Sequence, residues 1–171
     1  MKIKLLLILL CFTNLITAQI TEQDFQIMEG QWKGTLTYTD YSDDRSQSTL
    51  NCTMNLYWKK SLGKISIGFK EPNGSEFHDV SKVKPNNNWT KIKYDGQWYD
   101  INKFEKSENS NHWKLILTGL GKDNRRKAII KQTFIYTGTN LSITKEIKYV
   151  GTANYLVRNT YNFEKLKKES L

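Results

Sequence analysis

The sequence predicts an all-β fold, an antiparallel up-and-down β-barrel of about 8–10 strands with a short N-terminal helix. Three observations lead there. From residue 30 onward, segment after segment alternates apolar and polar residues with the period of two that places one face of a strand in a core. The segments are joined by short turns built on Gly, Asn, Asp and Pro, as in Pro72-Asn73-Gly74, Asp95-Gly96 and Gly138-Thr139-Asn140. No helix-period stretch lies between them, and parallel pairing needs a long crossover, so the strands must pair as an antiparallel meander. Closing the meander removes its exposed edges.

The elements follow in order. Thr21 to Glu29 reads as a short helix, with Thr21 as N-cap, acidic Glu22 and Asp24 in the first turn, and apolar Phe25 and Met28 three residues apart. Gly30 stops it and opens the first strand, in which Trp32, Leu36 and Tyr38 share a face with the small Gly34. After a polar loop, Asp40 to Ser46, the residues Leu50, Cys52, Met54, Leu56 and Trp58 alternate with polar partners. Ile65, Ile67 and Phe69 mark the next strand, and a weaker one runs from about Glu76 to Lys84. Trp89 to Tyr94 and Gln97 to Phe104 form a hairpin across Asp95-Gly96. Trp113, Leu115 and Leu117 define a strand that gives way to a charged, glycine-bearing loop, Gly119 to Arg125. Ala128 to Tyr136, Leu141 to Tyr149 and Asn154 to Lys165 complete the set, the last with Tyr155, Val157, Asn159, Tyr161 and Phe163 on one face.

Residues 1–19 read as a signal peptide: charged Lys2 and Lys4, the apolar run Leu5 to Phe12, and Ile16-Thr17-Ala18 as a cleavage signature before Gln19. Residues 20–171 are then a single exported domain, periplasmic or secreted. Lipid attachment at Cys11 fits less well, because Leu10 before it is large and Cys11 sits inside the apolar run. Cys52 is then the one cysteine left, so no intramolecular disulfide forms. Removing Lys2 and Lys4 leaves 24 basic against 17 acidic residues, a net charge of +7. The lysines are scattered and form no stripe with aromatic platforms, which argues against nucleic acid as a partner. Beyond the signal, no stretch approaches the length of a membrane helix, so stable membrane insertion is not expected.

Gly30-Gln31-Trp32 after a short helix, together with Arg158 on the last strand, makes the chain resemble the lipocalin-like barrels of the broad calycin group. The resemblance implies that Trp32 packs at the closed end of the barrel and that Arg158 lies against it in a cation–π contact that seals the structure. The strand count is nearer that of fatty-acid-binding proteins or nitrobindin-type barrels. The first place a helical pair after the first strand, for which Asp40 to Ser46 is too short, and Arg158 and Tyr161 do not reproduce their Arg-x-Tyr pattern. The second hold haem through a histidine, which would make His112 or His78 the axial ligand.

No pattern of residues specifies a reaction. His78, His112 and Cys52 show no zinc-ligand spacing, no Gly-x-Ser-x-Gly elbow is present, and neither a catalytic nor a metal site is expected. The expectation is a binding protein that holds a small, largely apolar molecule in the barrel. Tyr38, Met54, Trp58, Phe69, Trp113, Phe134, Tyr136 and Tyr161 are candidate walls, and Gln132, Lys145 and Asn159 candidate polar contacts. Each wall residue would serve equally in a packed core. The alternative is a filled barrel that binds a protein or glycan through surface aromatics, with Trp89, Trp98 and Tyr99 around the Asp95-Gly96 turn as the platform.

Overall fold

A computed structural model describes residues 19–71, 73–107 and 111–167. The expected signal segment, Cys11 included, lies outside them apart from Gln19. Helix α1 (Glu22–Gln26) is shorter than the predicted Thr21 to Glu29, and the chain leaves it through a turn. The Asp24 carboxylate accepts hydrogen bonds from both the Thr21 backbone N–H and its hydroxyl, at 2.9 and 2.8 Å, which fixes the helix start. Gly30, at φ +132°, then turns the chain into the sheet with a backbone that other residues rarely adopt.

Ten strands follow: β1 (Gly30–Thr39), β2 (Gln47–Lys59), β3 (Leu62–Lys70), β4 (Glu76–Pro85), β5 (Lys91–Tyr94), β6 (Gln97–Lys106), β7 (His112–Asp123), β8 (Arg126–Thr137), β9 (Asn140–Tyr149) and β10 (Leu156–Lys165). Each pairs antiparallel with the one before it, and β10 closes on β1 from Trp32↔Lys165 to Tyr38↔Asn159, giving a closed up-and-down barrel. The sequence-based fold class is therefore the observed one. Among the described residues, no helix is long and apolar enough to cross a membrane.

Two elements depart from expectation. Gly119 to Leu120 and on to Asp123 continue β7 rather than forming a loop, and the reversal is the two-residue turn Asn124-Arg125, both at positive φ. Small residues are needed there: a Cβ on Gly119 would lie 2.8 Å from the Trp98 carbonyl oxygen, and one on Gly121 would run into the Gln97 side chain. On β10 the pairing with β9 slips between Val157 and Asn159. This bulge leaves Val157 and Tyr155 exposed and buries Arg158, so the predicted uninterrupted alternation of that strand is broken at its start.

Helix α1 closes one end of the barrel. Phe25 stacks on Trp58 with ring centroids 4.8 Å apart and also meets Trp89 and Trp113, each at 6.1 Å. Glu22 anchors the plug by accepting from the Trp58 indole N–H and the Ser61 hydroxyl, both at 3.0 Å. Above this plug Met54, Leu56, Ile65, Leu115, Phe134 and Ile143 pack across the lumen. The gap there that Phe25, Trp58 and Phe134 line is about 10 Å³, room for no more than about one water molecule. Tyr94 meets Phe134 edge-on at 5.6 Å and fills the middle of the barrel.

Candidate binding site

All eleven predicted wall and polar residues sit on inward-facing strand positions, but only some border open space. Met54, Trp58, Trp113, Gln132, Phe134 and Tyr136 are buried and belong to the packed interior. Three buried tryptophan and four buried tyrosine rings, with the helix, fill the space. Tyr38, Phe69 and Asn159 instead line a cavity of about 170 Å³ at the mouth, the end opposite α1, together with Leu36, Thr39 and Arg158. Tyr161 lies below it, between Leu36 and Ile143 in register, where burial pushes its hydroxyl up to about 12.

The sealing role expected of Arg158 is not what the structure shows. Trp32 is indeed at the closed end, with its indole N–H donating to the Met28 carbonyl at 3.0 Å. The cation over its ring is Lys165, 5.4 Å from the centroid. Register explains the exchange: antiparallel β10 brings Lys165 opposite Trp32, and Arg158, seven residues earlier, falls at the mouth, roughly 20 Å away along the strand.

At the mouth Arg158 is the centre of a polar network. One terminal nitrogen (Nη2) donates to Asp44 at 2.8 Å and to the Tyr149 hydroxyl at 3.0 Å, and lies 3.1 Å from Asp123. The other (Nη1) donates to the Thr39 carbonyl at 3.3 Å. Lys145, a predicted polar contact, reaches Asp123 at 2.9 Å, and Tyr149 donates to the same carboxylate at 3.0 Å. The Arg158 and Asp123 side chains are both 1 % exposed. Burial works against the charge of Asp123, yet Lys145 and Arg158 outweigh it and hold the carboxyl below its ordinary range. The β1–β2 loop covers the network: the Tyr41 ring lies over the guanidinium, 4.2 Å from ring centroid to carbon, and its hydroxyl donates to Asp123 at 3.2 Å. Burial and Asp123 push the Tyr41 hydroxyl up to about 12. Amid these contacts the Arg158 Nε has no hydrogen-bond partner.

Asp44, Asp123 and Tyr149 were missed from sequence. Asp123 keeps the inward phase of Leu115 and Leu117, but Gly119 and Gly121 interrupt the apolar signal between them. Asp44 sits in a loop, where no periodicity operates.

A larger concavity, an open trough of about 890 Å³, lies on the outside of the barrel across seven strands. Its floor carries short side chains such as Thr35, Asn51, Thr53, Ser142 and Asn162, and Gly68 beside His78. Its rim charges pair with one another, Lys33 with Glu164 at 3.9 Å and Lys70 with Glu76 at 3.8 Å. Water satisfies such a surface, so size alone does not favour it over the mouth.

The aromatic platform expected near Asp95-Gly96 is divided: Trp98 is exposed, Trp89 packs against Phe25, and Tyr99 is buried in the barrel. The residues present do not fit haem. His78 and His112 are both exposed on outward strand positions, and the lumen is filled by other side chains. Among the described residues, no group of three or more His, Cys, Asp or Glu could hold a metal ion.

Fold and site together define a closed ten-strand antiparallel barrel with a plugged end and a polar mouth. No family model and no curated protein matches the sequence. Among solved structures the chain is similar to Rv2717c from M. tuberculosis, with a TM-score of 0.63, 8 % identity, and coverage of 88 % of this chain and 100 % of that one. At that identity the likeness concerns the barrel fold.

Proposed function

We propose that this chain is an exported, non-catalytic binding protein of lipocalin-like type that takes a small, largely apolar molecule into the mouth of its barrel. The observation that carries the reading is the mouth cavity of about 170 Å³, with Leu36, Tyr38 and Phe69 as apolar walls and, among its lining residues, Arg158, whose buried Nε has no hydrogen-bond partner. A buried donor without a partner costs on the order of 1–3 kcal/mol, which an acceptor on a ligand recovers. Apolar walls with one orienting polar group are the usual composition of small-molecule sites. The site holds a compact molecule and excludes a long acyl chain, because the lumen beneath is packed.

The test is titration with neutral aromatic probes, phenylacetamide and indole, followed by calorimetry on the wild type and on Leu36→Trp, which fills the cavity. Binding by the wild type and its loss in a Leu36→Trp variant that still unfolds cooperatively supports the reading. Equal binding by both contradicts it. A second reading, attachment to a protein or glycan, draws its support from the outer trough, and there Leu36→Trp has no effect.

A further inference from the structure

From the contacts of Asp44 we infer that the mouth takes a small aromatic monocarboxylate, whose carboxylate replaces that of Asp44 on Arg158 as the β1–β2 loop lifts; this rests on the mouth-site reading above.

Asp44 is the one hydrogen-bonding partner of Arg158 that comes from a loop. The loop is a self-supporting turn, closed by Asp40 N–H to the Ser46 carbonyl at 2.8 Å and Asp44 N–H to the Asp40 carbonyl at 3.0 Å. Two side chains from it reach the network, Tyr41 and Asp44, so it can leave the mouth without unpairing the strands. The Asp44 side chain is 36 % exposed while the guanidinium it covers is 1 % exposed. Water therefore reaches the carboxylate from outside, and its departure opens the way to the arginine.

The vacated geometry suits a carboxylate better than Asp44 does. Asp44 uses only Nη2 and leaves Nε unpaired. A free carboxylate placed on the same edge accepts from Nε and Nη2 together, the side-on bidentate pairing that guanidinium groups favour. Charge sets the number of carboxylates. Arg158, Lys145 and Arg126, the last stacked 3.6 Å from the centre of the Tyr149 ring, carry three positive charges, and Asp123, Asp44 and the cavity-lining Glu71 three negative ones. One carboxylate in exchange for one restores neutrality. A neutral molecule in the same place leaves a buried excess of positive charge, and a dianion leaves an excess of negative charge, each of them costly at such depth. Tyr38 and Phe69, held on β1 and β3, supply aromatic faces for the body of the ligand, and the cavity has room for a single ring.

The probes are phenylacetate and its uncharged analogue phenylacetamide, titrated by calorimetry into the wild type and Asp44→Asn. Asparagine tolerates the left-handed φ of 55° at this position and removes the charge. Asp44→Gly, which accepts the same φ, guards against a local effect of the amide. In the wild type the acid binds more tightly than the amide. Relieved of its internal competitor, Asp44→Asn raises the ratio of acid to amide affinity by about tenfold. An unchanged or lower ratio in both variants overturns the carboxylate exchange while leaving the mouth site standing. Failure of acid and amide alike to bind the wild type and both variants removes the mouth site, and this inference with it.

Discussion

Arg158 and Asp123 face each other at the barrel mouth, Nη2 to Oδ2 at 3.1 Å, from strands that are neighbours neither in sequence nor in the sheet. The contact spans the lumen rather than a strand pair. It ties β10 to the end of β7, and Lys145 on β9 completes the bridge. Because both side chains are buried, removing Asp123 leaves Lys145 without its carboxylate and the guanidinium of Arg158 with Asp44 as its one remaining anion.

Asp123→Asn is therefore expected to destabilise the barrel by about 3–5 kcal/mol, the range for breaking a buried pair from one side. Urea unfolding measures it. The pH dependence has a fixed sign. The folded carboxyl titrates below its unfolded value, so its contribution is present above about pH 4 and is lost as pH falls through the folded value. Wild-type stability should drop along that acid limb, and the Asp123→Asn variant should show a flatter one.

Gly34 and Gly68 predict opposite responses to alanine. A Cβ on Gly34 would run into the Asn162 carbonyl, a backbone atom of β10 that cannot yield without disturbing barrel closure. Gly34→Ala should cost about 3 kcal/mol or more, or prevent folding. A Cβ on Gly68 meets the His78 ring at 3.2 Å on the outer face, an exposed ring that can turn aside, and the Thr53 hydroxyl at an ordinary 3.4 Å. Gly68→Ala should change the midpoint of thermal unfolding little. Comparable losses in the two would refute the assignment of Gly34 to the closing seam.

Cys52 should be inert while the barrel is folded. It is 5 % exposed, and burial pushes its thiol up to about 11, so little thiolate forms near neutral pH. An aromatic disulfide reagent at pH 8 should react at the rate of unfolding and become fast in denaturant. Fast reaction under native conditions would mean that the β2 face of the lumen is open.

The barrel was legible in the sequence because alternation and turn chemistry are local. The inward phase of Leu50 to Trp58, of Trp113 to Leu117 and of Leu141 to Tyr149 follows from residue order alone. What filled the lumen was not legible, since Trp58 or Phe134 reads the same in a core and in a pocket wall. The position of Arg158 was hidden by the bulge beside it, which shifts the inward phase by one residue. The Trp32 partner went astray for a related reason: a motif names a tryptophan and an arginine, whereas register decides that Lys165 stands opposite. Asp44 owes its place to the loop fold and to a partner 114 positions away in the chain, and neither leaves a periodic trace.

The most direct test of a binding site at the mouth is an amide chemical-shift titration of the ¹⁵N-labelled barrel with phenylacetamide and phenylacetate. The mouth-site account predicts saturable shifts concentrated at Leu36 to Tyr41, at Phe69 to Glu71 and at Arg158 and Asn159. Shifts gathered instead at Asn51, Thr53, Gly68 and His78 would contradict it and place recognition in the outer trough.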